Sequence, residues 1–208
     1  MYNFIREELG ELEKKTSRQI QAENTKAHIL AVAAELLQHK MFDEISIQDI
    51  CKKAQVSVGS FYHHFENKAG IIIELYKDID IFFINEVLQS EITKEPIEAI
   101  VEYLVDQCEY ALDLGKDLVK NVYKAQIDNG NTFFLSNERG LPAGLKTLIV
   151  RAIGQNKLRS DTAADLLTKE LLIISRGIIY HWCVSDGHVD MLANARKIST
   201  NYIKAYEV

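Results

Sequence analysis

The residues best suited to chemistry lie close together. Ser57, Ser60, Tyr62, His63 and His64 fall within eight positions, with Ser46 and Gln48 just before them and Lys68 just after. Hydroxyls, a phenol, imidazoles, a carboxamide and an ammonium all donate hydrogen bonds, and in this pattern they suit phosphate oxygens and base edges better than bond-breaking. Gly59 and Ser60 are small enough to let the backbone approach a partner closely, and Val58 adds an apolar contact. Phe61 and Phe65 alternate with the polar residues and should point inward.

Short helices must present these groups. Ser46 is a natural N-cap, and Asp49 three residues on completes a capping box. Ile47, Ile50 and Ala54 give the helix that follows one apolar face. Val56-Ser57-Val58-Gly59 breaks the period, Ser57 can cap a second helix through His64, and Asn67 a long one from Lys68 to about Gln89. Two short helices joined by a four-residue break make a helix-turn-helix pattern, whose second helix enters the major groove of double-stranded DNA while the first crosses the backbone. The helix N-termini add phosphate-binding amides.

At these residues the sequence resembles the tetracycline-repressor (TetR) family of bacterial regulators. Phe42, Ser46, Ile47, Ile50, Ala54, Val56, Ser57, Gly59, Ser60, Phe61, Tyr62, His64, Phe65, Asn67 and Lys68 match the family pattern, and the resemblance covers residues 25–75. Met41 and Gln55 stand where the family usually has glycine at helix ends, which would cost about 1–2 kcal/mol each if φ is positive there. Ala69 replaces the usual acid in the first turn of the next helix, losing a favourable partner for the helix dipole.

The resemblance implies an all-α fold, with an N-terminal helix-turn-helix DNA-binding domain at 24–75 and a larger helical ligand-binding and dimerisation domain at 76–208. Residues 1–23 form an extra N-terminal helix without an assigned role. It further implies a homodimer through the last two helices, with Leu171, Ile174, Ile178 and Trp182 in or beside the seam, or else in the subunit's own core. The operator is expected to be an inverted repeat, and a small-molecule effector would release the repressor from it.

Helical spacing recurs along the remaining chain and β-type alternation is nearly absent. Ile5, Leu9 and Leu12 mark a helix over 2–21, and Asn24 and Thr25 can cap another with Ile29, Ala33, Leu36 and Leu37 inward. Later helices are expected at 96–114, 116–127, 142–153, 162–185 and 189–206. Between them lies a loop whose Phe133, Phe134 and Leu135 should tuck into the core. Tyr103, Gln107, Tyr110 and Tyr123 are candidate pocket residues, weighed against ordinary core packing.

Bulk properties exclude several classes. Three isolated cysteines with no CxxC pair give neither a disulfide framework nor a zinc site. His63 and His64 diverge by about 100° on a helix, and His181, Cys183 and His188 straddle a helix end, so no metal or other cofactor is expected. No catalytic triad, P-loop or HExxH occurs, and no enzyme is expected. The N-terminus is no signal peptide, and the 14-residue apolar stretch Leu171 to Val184 contains Arg176, whereas a span needs roughly 20 apolar residues. A cytoplasmic location without membrane contact is expected. The net charge of −6 is unevenly spread, with residues 14–68 at +2 between −3 for 1–13 and −5 for 69–208. The alternative is a helical ligand-binding or enzymatic protein that has lost DNA binding; salt-dependent DNA binding separates the two.

Overall fold

The computed structural model describes residues 16–37, 39–129, 135–136 and 139–208. The expected helix over 2–21 falls mostly outside them, as do Phe133 and Phe134. Among the described residues no strand forms beyond one isolated bridge, Leu158 with Glu207. The chain divides into two compact units, residues 1–40 with 45–66, and residues 41–44 with 67–208.

The smaller unit holds α1 (Ser17–Leu37), α2 (Ile47–Ala54) and α3 (Val58–His64). Helix α1 runs unbroken through Asn24 and Thr25, where the sequence suggested a cap. Its start is fixed upstream: Thr16 N–H donates to Gln19 Oε1 at 2.7 Å and Gln19 N–H donates back to Thr16 Oγ1 at 3.2 Å. With that box in place Thr25 turns its hydroxyl onto the Gln21 carbonyl at 2.8 Å and stays helical. Ile29, Val32 and Ala33 of α1 are buried, as are Ile50, Cys51 and Ala54 of α2 and Phe61 and Phe65 around α3. His28 Nε2 adds a polar tie to the Ala54 carbonyl at 3.2 Å.

The larger unit begins with α4 (Lys68–Phe82), which continues through a π-helical turn (Phe83–Val87) into α5 (Leu88–Glu91). Then follow α6 (Pro96–Leu114), α7 (Lys116–Asn129), α8 (Gly140–Gly154), α9 (Ala164–Val184) and α10 (Met191–Ile203). Pro96 occupies the first turn of α6, where its missing N–H costs nothing. The core gathers Phe83, Tyr103 and Leu104 with Leu145, Leu148, Leu171 and Ile203. A second cluster joins Cys108 and Val119 to Ile178, Trp182 and Met191.

Helix α8 is anchored to α4 by Asp80, whose carboxylate takes Arg139 Nε at 2.8 Å and Nη2 at 3.1 Å, and the Leu141 amide at 3.0 Å. A Cβ at Gly140 would strike the Asp80 carbonyl, so only glycine permits this approach. Leu135, expected in the core, is 74% exposed.

Candidate nucleic-acid interface and ligand cavity

The two short helices are capped as their sequence requires. Ser46 Oγ accepts from Asp49 N–H at 3.1 Å, and Asp49 Oδ2 accepts from Ser46 N–H at 2.9 Å. Ser57 Oγ accepts from Ser60 N–H at 3.0 Å. Between the helices Gln55 sits at φ 55° in the left-handed region, the strained position that the glycine departure foretold. Met41, its companion departure, does not have a positive φ, so no strain arises there.

Helix α3 separates its faces cleanly. Phe61 is fully buried, and its ring packs against Phe65 with centroids 5.3 Å apart. On the other side Val58 is 41% and Tyr62 54% exposed, with Ser57, Gly59 and His63 also exposed, and Ser60 and His64 half-buried. Ser46 and Gln48 are exposed at the start of α2. Burial lowers the His64 imidazole pKa, with the charges of His63 and Lys26 adding to the effect.

Gly59 is informative because the fold does not require it. Its φ is not positive, and an added Cβ would meet only Ser57 Oγ, at 3.8 Å. A residue that weakens a helix without serving its packing suits a surface where another molecule approaches the backbone.

Lys68 lies in the larger unit, where its Nζ donates to the Phe42 carbonyl at 2.8 Å and sits 4.3 Å from the centroid of the Phe42 ring. The Phe42 amide in turn donates to Asp117 Oδ2 at 3.0 Å, and Asp43 faces Lys124 at 3.5 Å. Helix α7 thereby holds the turn Met41–Glu44, which in sequence links α1 to α2.

Inside the larger unit a partly enclosed cavity of about 30 Å³ lies among α4, α6, α7 and α9. Gln107, Tyr110 and Tyr123 line it, and Ile79, Gln126 and Arg176 join them. Tyr103 is not among the lining residues; it is fully buried and donates to the Leu141 carbonyl at 2.9 Å. Two of the cavity's polar side chains are already engaged: Ser175 Oγ donates to Gln107 Oε1 and Tyr123 Oη donates to the Arg176 carbonyl, both at 2.8 Å. Arg139 and Arg176, which also line the cavity, escape a reading of the sequence because they lie far from the tyrosines in the chain.

On α9, Leu171, Ile178 and Trp182 are buried within the subunit, and Ile174 packs partly against its core. The outward stripe is instead Leu166, Ile173, Tyr180 and Val184, 54–67% exposed. The cysteines are all free and buried, and burial pushes the Cys108 thiol up to about 12. Among the described residues no cluster of three His, Cys, Asp or Glu is placed to hold a metal, and no helix is long and apolar enough to cross a membrane.

Residues 29–75 match the family model of bacterial regulatory proteins, tetR family. The chain is 26% identical to the transposon Tn10 TetC protein of Escherichia coli over 165 residues, covering 75% of this chain and 81% of that one. It is 23% identical to the HTH-type transcriptional regulator AcrR of Shigella flexneri, over 93% of each. Its fold is similar to that of Thermus thermophilus FadR, a TetR-family transcriptional repressor solved in complex with lauroyl-CoA. That likeness has a TM-score of 0.73 at 18% identity, over 86% of this chain and 92% of that one.

Proposed function

We propose that the chain is a DNA-binding transcriptional regulator of the TetR family, whose model its residues 29–75 match, and that it acts as a cytoplasmic, homodimeric repressor released from an inverted-repeat operator by a small molecule. The observation that carries the reading is α3, with Phe61 turned inward and Val58, Gly59 and Tyr62 turned out. Ser57, Ser60, Tyr62 and His63 reach phosphates and base edges, His64 lends an imidazole, and Ser46 and Gln48 contact the backbone from α2.

A two-fold dimer presents two copies of α3, so half-sites fall in successive major grooves about 34–36 Å apart, or a multiple of that. The exposed stripe on α9 supplies an apolar, self-complementary face for that dimer. The effector enters the cavity beside Gln107, Tyr110 and Tyr123. At about 30 Å³ it has room for little more than one water, so a ligand must part the helices to enter. That movement is the work by which binding alters the spacing of the reading heads. The acyl-CoA held by the FadR relative supports a small-molecule effector of this general kind.

Titration of the purified protein against the DNA beside its own gene, over a range of salt, tests the reading. Affinity should fall steeply with salt, and footprinting should show two symmetric half-sites. A single unsymmetrical half-site contradicts the dimer, and salt-independent binding or none contradicts the regulator. Effector and DNA must lower each other's affinity by the same factor.

A further inference from the structure

We propose that an acidic groove on the larger unit, between α6 and the π-helical turn, binds a linear aliphatic polyamine. The groove is distinct from the effector cavity, sharing only Tyr110 with it among their lining residues, and the proposal does not depend on DNA binding. Its volume is about 450 Å³, within the range of about 300–1,000 Å³ that small-molecule sites occupy.

Five carboxylates line this groove (Glu86, Glu91, Asp106, Glu109 and Asp113) against one cation, Lys94. Glu91 is 2% exposed; its Oε1 pairs with Lys94 at 2.7 Å, while its Oε2 has no hydrogen-bond partner. A buried carboxylate oxygen left unpaired in the wall of an acidic groove calls for a donor from outside the chain. Asp106, Glu109 and Asp113 make no ion pair among the described residues. Among the described residues Lys94 is the single cation lining the groove, so its carboxylates outnumber its cations and a cationic ligand would balance the excess.

Geometry narrows the cation. Asp106, Glu109 and Asp113 stand at i, i+3 and i+7 on one face of α6, so successive carboxylates are about 5–6 Å apart at Cβ. Amines separated by three or four methylenes repeat on that scale. No three acids converge closely enough for a metal ion among the described residues. Phe82 and Tyr110 lie in the same wall, ring centroids 5.4 Å apart and Phe82 40% exposed, offering π-faces to an alkylammonium and apolar surface to its methylenes. Phe82 leads into the π-helical turn that faces α6 across the groove, a rare conformation that occurs frequently at functional sites.

Calorimetric titration of the full chain with spermidine, without DNA and at physiological salt, tests this directly. One saturable site is expected, not displaced by magnesium at equal charge concentration. Asp113→Asn and Glu109→Gln, both at exposed positions, should each weaken it about tenfold or more, the scale of a hydrogen bond to a charged group. Phe82→Ala should weaken it several-fold, and Asp165→Asn, outside the groove, should leave it unchanged. Circular dichroism checks that each variant is folded. Absence of saturable heat, equal displacement by magnesium, or indifference to the three groove variants would each overturn the proposal. Because no DNA is present, failure of operator binding does not touch the result.

Discussion

Lys68 and Phe42 hold each other twice, through the ammonium on the carbonyl at 2.8 Å and the same ammonium over the ring at 4.3 Å. Phe42 is 8% exposed and its amide is taken by Asp117. The turn between α1 and α2 is thus pinned from α4 on one side and α7 on the other.

Replacing Lys68 with Met should therefore lower stability by about 1.5–3 kcal/mol, the range for a hydrogen bond to a charged group. The salt slope of DNA binding should stay as it is. Urea melts and a salt titration read the two effects separately. A slope reduced by about one ion would show that the ammonium leaves Phe42 for a phosphate in the complex.

Gly59→Ala separates folding from recognition. The added methyl meets only Ser57 Oγ at 3.8 Å, and alanine favours a helix over glycine by about 0.5–1 kcal/mol. The variant should be as stable as the parent or more so, yet bind operator about tenfold more weakly, the scale of one lost base contact. Equal affinity would place Gly59 away from the DNA.

The two faces of α9 should respond differently to charge. Ile173→Asp, on the outward stripe at 67% exposure, should give a folded monomer by light scattering. Leu171→Asp, fully buried, should fail to fold because it buries an unpaired charge. A dimeric Ile173→Asp protein would exclude this stripe from the interface.

Asp106 should make stability depend on pH. Burial, then the neighbouring Glu91 charge, push its carboxyl up to about 6 from 3.8; Glu109 and Glu102 raise it further and Lys94 opposes them. Folding thus favours the protonated form. That contribution is fully present below about pH 4 and is lost as pH rises through about 6. Asp106→Asn should match the parent at low pH and exceed it above pH 6, as urea melts across that range would show. Parallel curves would mean that Asp106 ionises freely in the folded protein.

Much of the reading head was legible in the sequence because its determinants are local. Ser46 with Asp49, Ser57 with Ser60 and Asn67 with Gly70 are contacts three residues apart, and each forms where the residue types place it. The inward turn of Phe61 and Phe65 follows from helical period alone. The left-handed Gln55 follows from the short break between two helices.

What tertiary structure decided were choices between partners that the sequence leaves equivalent. Helix α9 is apolar on nearly every side, so its period cannot tell Leu171, packed inside the subunit, from Ile173, left outside. The Lys68 ammonium can reach a phosphate or a carbonyl, and only the fold brings the Phe42 carbonyl, 26 residues away, within reach. The acidic groove needs α6 laid beside the π-helical turn before Glu86 and Glu91 join Asp106, Glu109 and Asp113. Capping and amphipathic period act within a few residues, whereas burial and charge depend on neighbours that only a folded chain supplies.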